Sequence, residues 1–161
     1  MILQFKKWIA LGFGSGLSPW APGTAGSVLA LGILYGGISF FGLHFIWPFT
    51  LASALLSLWV ADEAEAAWGK DPAQMVIDEW AGMGLSLGPW ALFILFFEYP
   101  MNHYWIDLVI LFTLFRLFDI WKPLGISSMQ NMSGGFGILA DDLLAGVYAG
   151  FLWFLIHTLL F

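Results

Sequence analysis

The sequence predicts an all-α fold: a polytopic integral membrane bundle of four to five spanning helices, preceded by a short N-terminal interfacial helix. Composition is the first reason. The chain is 60% hydrophobic, 19% aromatic and only 10% charged, with a mean hydropathy of +0.85, which places it among membrane proteins rather than soluble domains. The second is that its apolar runs repeatedly approach the roughly 20 residues a helix needs to cross a bilayer. The third is size: 161 residues hold such a set of spans in one membrane-embedded domain, residues 1–161. Cysteine is absent, which removes disulfides, thiolate nucleophiles and cysteine metal sites. A net charge of −6 argues against nucleic acid as a partner.

Residues 1–11 read as a short amphipathic helix on the membrane face, with Lys6 and Lys7 towards the head groups. Gln4, Lys6 and Lys7 interrupt the apolar residues too early for a cleaved signal. Residues 12–27 are rich in Gly, Pro, Ser and Thr and read as a loop too broken for a helix. Residues 28–61 form an apolar stretch broken near 42–48, a helical hairpin whose second span runs towards the polar segment 62–74. Residues 76–97 are a third span containing Gly82, Gly84, Gly88 and Pro89, followed by a polar turn over 98–103. Residues 104–121 are a fourth span, ended by Lys122-Pro123 because proline disfavours helix at the residue before it. Residues 125–135 are a second polar loop, and 136–161 a fifth apolar segment.

Orientation follows from lysine and arginine placement. With Lys6 and Lys7 cytoplasmic, alternation brings Lys70, Arg116 and Lys122 to the same side. The Gly-rich loop, Asp78-Glu79, Asp119 to Lys122 and Asp141-Asp142 then meet at one end of the bundle. His44, His103 and His157 fall at the other end and read as non-catalytic.

Charges inside an oily chain carry the functional information, since each costs roughly 3 kcal/mol at mid-membrane. Asp78 has Gly82 one turn on, and Asp142 has Gly146 and then Gly150 on the same face. Small residues let membrane helices approach closely. Two helices meeting there bring Asp78, Glu79, Asp141 and Asp142 within mutual reach, which like charges tolerate only around a cation. Oxygen-only donors select Mg²⁺, Ca²⁺ or Mn²⁺, with Mg²⁺ the usual partner of a phosphate. The plainer alternative is that they are interfacial carboxylates favoured by helix dipoles.

Arg116, Asp119 and Lys122 recur at i, i+3, i+6, a stripe of alternating sign. Read functionally, Asp119 ligates a metal or orients Lys122, and Lys122 holds a phosphate as a point charge; the plainer reading is a local ion-pair ladder with a snorkelling lysine. Thr24 and the hydroxyls of Ser15, Ser18 and Ser27, with glycine N–H groups, suit an anion, but no Walker lysine follows and a plain turn fits equally. Asp62, Glu63 and Glu65 read as a solvated face.

Taken together, Leu17-Ser18-Pro19-Trp20-Ala21-Pro22-Gly23-Thr24-Ala25-Gly26-Ser27, Val76-Ile77-Asp78-Glu79-Trp80-Ala81-Gly82, Phe115-Arg116-Leu117-Phe118-Asp119-Ile120-Trp121-Lys122-Pro123 and Gly134-Gly135-Phe136-Gly137-Ile138-Leu139-Ala140-Asp141-Asp142-Leu143-Leu144-Ala145-Gly146 resemble the phosphatidylglycerophosphatase A family of bacterial inner-membrane enzymes. The chain departs from many members at Trp20, where they carry a basic residue, and in the loop 127–131, where they carry an aspartate. The resemblance implies Mg²⁺-dependent hydrolysis of phosphatidylglycerophosphate to phosphatidylglycerol and inorganic phosphate at the cytoplasmic face. Its phospholipid substrate would keep its acyl chains in the bilayer.

With no cysteine, no histidine at the right end and no Asp-x-Asp motif, a phospho-enzyme has no evident nucleophile, and metal-assisted attack by water remains. On that reading Glu79, Asp141 and Asp142 are the metal ligands, with Asp78 and Asp119 in support. Asp78, Asp119, Lys122 and Asp142 are the catalytic set, and Thr24, Arg116 and Lys122 bind substrate. The alternatives are a phosphatase for another lipid phosphate and a divalent-cation carrier, which would place its acids near the bilayer midplane. The oligomeric state stays open.

Overall fold

The structure is a computed structural model, describing residues 2–97, 104–123, 125–129, 132 and 134–160. The polar turn read at 98–103, including His103, lies outside the described residues. Helix α1 covers Ile2–Ala10, and a 3₁₀ segment Gly12–Leu17 follows it. Helices α2 (Pro22–Phe41), α3 (Ile46–Trp68), α4 (Ile77–Phe97), α5 (Tyr104–Trp121), the short α6 (Ile126–Met129) and α7 (Gly135–Leu160) complete the bundle.

Among the described residues, four helical segments are long and apolar enough to cross a membrane: Pro22–Phe41, Leu43–Trp68, Ile77–Phe97 and Gly135–Leu159. Helix α5 has spanning length but carries Asp107, Arg116 and Asp119. Two sequence-based boundaries shift. The loop expected over 12–27 gives way to helix at Pro22, because proline at the first helical position has no N–H to leave unsatisfied. Helix α3 runs on through the acidic stretch to Trp68 and stops at Gly69, whose φ of +95° suits glycine.

That extension changes the reading of α1. Lys6 pairs with Glu63 of α3, and Lys7 lies 5.9 Å from the Trp68 ring. The helix is thus docked on the polar end of α3 rather than facing only head groups. The backbone N–H of Val76 also donates to the Ala10 carbonyl at 2.9 Å, tying the α3–α4 loop beneath it.

Helix α4 is the central post. Of its apolar window 67% is buried, against 33% to 50% for the other three spans, and it packs against α2, α3, α5 and α7. Its closest partner is α7, and glycine makes the approach. A Cβ on Gly82 would lie 2.6 Å from the Asp142 carbonyl, one on Gly146 would collide with the Gly82 carbonyl, and one on Gly150 would lie 2.6 Å from the Ser86 carbonyl. These are the glycines that the sequence places one and two turns beyond the acids.

Substituting Gly146→Val should therefore force α4 and α7 apart and cost about 1–3 kcal/mol of stability. Gly36→Ala, where a Cβ meets nothing within 4 Å, should leave the thermal midpoint unchanged or raise it. Melting curves of the purified protein in detergent compare the two.

Candidate active site

Alternation of the helices brings the start of α2, the loop after α3, the start of α4, the end of α5 and the start of α7 to one end of the bundle. There they line an open cavity of about 410 Å³. Its lining includes Thr24, Asp71, Asp78, Glu79, Arg116, Asp119, Lys122, Asp141 and Asp142, so the candidate metal, catalytic and substrate residues meet there, whereas Ser15, Ser18 and Ser27 are not among the lining residues. His157 lies at the opposite end, 3.5 Å from Asp107.

The cavity wall is built from the ends of helices, the residues one to two turns inside them and the α3–α4 loop. Asp78 and Glu79 occupy the first turn of α4. Asp141 and Asp142 sit well inside α7, so dipole stabilisation at a helix start does not account for them. Glu79 is held by Arg116, and Ser27 Oγ lies 2.7 Å from Glu79 Oε2. Arg116 Nη1 also reaches Asp119 Oδ2 at 2.8 Å, three residues on along α5. Gly23 is required here, since a Cβ would run into Glu79 Oε1 and sit 3.1 Å from Arg116 Nη2.

The expected stripe Arg116–Asp119–Lys122 ends one residue early. Lys122 lies beyond α5 with φ +47°, a left-handed conformation unfavourable for a non-glycine residue. That turn carries its ammonium across to Asp141 of α7 instead of Asp119. Burial disfavours the charged lysine. The hydrogen bond to Asp141 and the charges of Asp141, Asp119 and Asp142 outweigh it, holding the Lys122 pKa above the ordinary lysine value.

Six carboxylates line the cavity against two cations. Asp78, Glu79, Asp119, Asp141 and Asp142 are each less than a tenth exposed, a charge excess that burial makes costly by several kcal/mol per ion. Two of the oxygens, Asp78 Oδ1 and Asp141 Oδ1, are buried without a hydrogen-bond partner among the described residues. Oxygens of Glu79, Asp119 and Asp142 come within 4.8 Å of one another. Opposite ligands of an ion with bonds near 2.1 Å are separated by roughly 4 Å. The donor set, the orphaned oxygens and the excess negative charge all fit a hard divalent cation. Asp119 thus joins Glu79 and Asp142, while the Asp141 carboxylate faces Lys122.

Sequence reasoning missed Asp71. It belongs to the polar segment 62–74, which carried no site residue in the sequence, yet it lines the cavity in a left-handed conformation (φ +49°). A polar residue directly before Pro72, among the residues leading into the Asp78-Glu79 motif, is the signal that points to it. The anion-binding expectation moves as well: Gly12, Gly14 and Gly16 do not line the cavity, whereas Pro22, Gly23 and Thr24 do. The donors on offer are therefore the free N–H groups of the first turn of α2.

Fold and site together define a polytopic α-helical membrane protein with an acid-lined, cation-walled chamber at one end of its bundle. The chain belongs to the phosphatidylglycerophosphatase A family, whose family model matches residues 8–157. A Bacteroides thetaiotaomicron protein with a provisional phosphatidylinositol-3-phosphatase name is 43% identical over 152 residues, covering 88% of this chain and 86% of that one. Phosphatidylglycerophosphatase A of Escherichia coli is 35% identical (92% and 82% covered), and that of Haemophilus influenzae 36% identical (88% and 82%). No solved structure matches.

In a metal-free buffer, Asp142→Asn should raise the thermal midpoint by removing one repelling charge. In wild type, Mg²⁺ at about a hundred times its Kd should add about 2.7 kcal/mol. The variant should lose most of that gain, and melts with chelator and with Mg²⁺ read both effects.

Proposed function

We propose that this protein is a Mg²⁺-dependent phosphatase of the bacterial inner membrane. It removes the terminal phosphate of phosphatidylglycerophosphate at the cytoplasmic face, giving phosphatidylglycerol and inorganic phosphate. The observation that carries the reading is the combination of buried acids with Arg116, Lys122 and the α2 N-terminus around one cavity. It is an arrangement suited to a dianionic group together with a divalent ion. Family membership supplies the substrate, and the gathering of the chain's lysines and Arg116 towards that end supports the cytoplasmic orientation. All the cavity acids sit at one bundle end, which disfavours a carrier with its acids at the midplane.

Glu79, Asp119 and Asp142 would hold the ion, with Asp141 beside them. When bound, a divalent cation supplies Lewis acidity towards the phosphoryl oxygens and the attacking water. Lys122 and Arg116, with the first-turn N–H groups at Gly23 and Thr24, bind the phosphate oxygens and offset the charge that spreads over them as the bond breaks. Asp78, which lines the cavity, takes the proton of the attacking water. The water oxygen bonds to phosphorus, the ester P–O bond breaks, and the proton passes to the departing glycerol oxygen. Asp141 keeps the Lys122 ammonium aimed into the cavity. Ser27 does the same for Glu79 through its hydroxyl.

The name of the Bacteroides relative favours a second substrate, a phosphatidylinositol 3-phosphate, whose phosphate is also a monoester. Turnover of the two purified lipids separates the readings. Phosphatidylglycerophosphate should have the higher kcat/KM, and the reverse order would transfer the assignment. Asp142→Asn should cut Mg²⁺-dependent phosphate release by about a hundredfold or more, with Asp141→Asn also strongly impaired. Full activity in both folded variants would remove the mechanism.

Replacing Lys122 by Met should raise KM and lower kcat together, because the ammonium contacts the phosphate in the ground state and also offsets the charge that develops in the transition state. Steady-state kinetics with the same lipid reads the split between KM and kcat.

A further inference from the structure

The cavity is not the only concavity along α2 and α5. Further down the same two helices lies an apolar groove of about 280 Å³, walled by Val28, Leu31, Gly32 and Tyr35 of α2 and by Trp105 and Val109 of α5. On α2, Thr24, Val28, Leu31/Gly32 and Tyr35 recur at helical spacing and share one face. On α5, Trp105, Val109, Phe112, Arg116 and Asp119 do the same. Each helix therefore turns one continuous face from the charged cavity to the groove.

We propose that this groove holds an acyl chain of the phosphate-bearing lipid substrate, a reading that rests on the lipid-phosphatase function above. The order of chemistry along the seam is that of the lipid itself. Thr24, Arg116 and Lys122 stand where a phosphate would sit, and only apolar walls follow.

The dimensions agree. From Thr24 to Tyr35 the helix rises about 16 Å, close to the roughly 15 Å of hydrocarbon in one leaflet. Glycine opens the groove: a Cβ on Gly32 or Gly36 would meet nothing within 4 Å, in contrast to the tightly opposed glycines of the α4–α7 seam. The far end is stopped by Tyr104, whose ring stacks on Tyr35 at 5.5 Å and whose hydroxyl lies 2.8 Å from Ser39 Oγ. Both polar groups satisfy each other there.

Two measurements test it on the full chain in lipid nanodiscs. In the first, a phosphatidylglycerophosphate with a photoactivatable diazirine in its acyl chain is compared with a phosphatidylcholine carrying the same diazirine. Peptide mapping should find the phosphate lipid enriched at residues 28–35 and 105–109. Equal labelling by both lipids would mean ordinary surrounding bilayer and would overturn the proposal.

In the second, Gly32→Leu fills the groove without touching the cavity. It should raise KM about tenfold for a long-chain substrate, and leave kcat/KM for a short-chain analogue unchanged. Unchanged KM for the long chain, or equal loss on both substrates, would overturn it. Wild type that hydrolyses no lipid phosphate would instead defeat the functional reading above, while the labelling pattern still reports on the groove.

Discussion

The backbone approach between α4 and α7 is the constraint on which the rest of the molecule depends. Glycine at 82, 146 and 150 lets the two helices meet main chain to main chain, with the Asp142 carbonyl at the place a Gly82 side chain would occupy. Because the acids stand within about two turns of those glycines, close packing and charge convergence are one event. A bulkier residue at the seam would move Asp78 and Glu79 away from Asp141 and Asp142 before it altered any of them chemically. Helix α4, buried on nearly every side, transmits that geometry to α2 and α5.

What this geometry creates is electrostatically unfavourable on its own. Six carboxylates face Arg116 and Lys122, and the arginine is divided between Glu79 and Asp119. A fold selected for stability alone would exchange several of these acids for apolar residues of similar volume. Their presence, together with a strained backbone at Lys122 and Asp71, is the pattern expected where local stability is surrendered to bind a ligand. The chain's membership of a phosphatase family agrees with that pattern.

Much of this was legible in the sequence, because a bilayer imposes strong rules. Apolar length marks spans, alternation sorts loops to two ends, and glycine one turn from an acid marks a close helix contact. The site's location followed from these. Two features did not, for reasons of local geometry. The pairing of Lys122 with Asp141 rather than with Asp119 depends on Lys122 leaving the α5 helix in a left-handed turn. No periodicity argument anticipates a left-handed lysine. The start of α2 at Pro22 was hidden because its Gly- and Pro-rich first turn has the composition of a loop, while its conformation is decided by proline at the first helical position and by packing of Gly26 against Val76. Asp71 was obscured in the same way: its polarity suggested water, whereas the tie between Val76 and Ala10 folds its loop over the cavity.

The central claim, that acids scattered through an apolar chain converge on one divalent ion, is tested most directly by anomalous diffraction from crystals soaked in Mn²⁺, an ion with similar ligand preferences to Mg²⁺. We expect an anomalous peak within bonding distance of Glu79, Asp119 and Asp142. A protein active with Mn²⁺ whose anomalous peak lies elsewhere, or which shows none at that cluster, would contradict it.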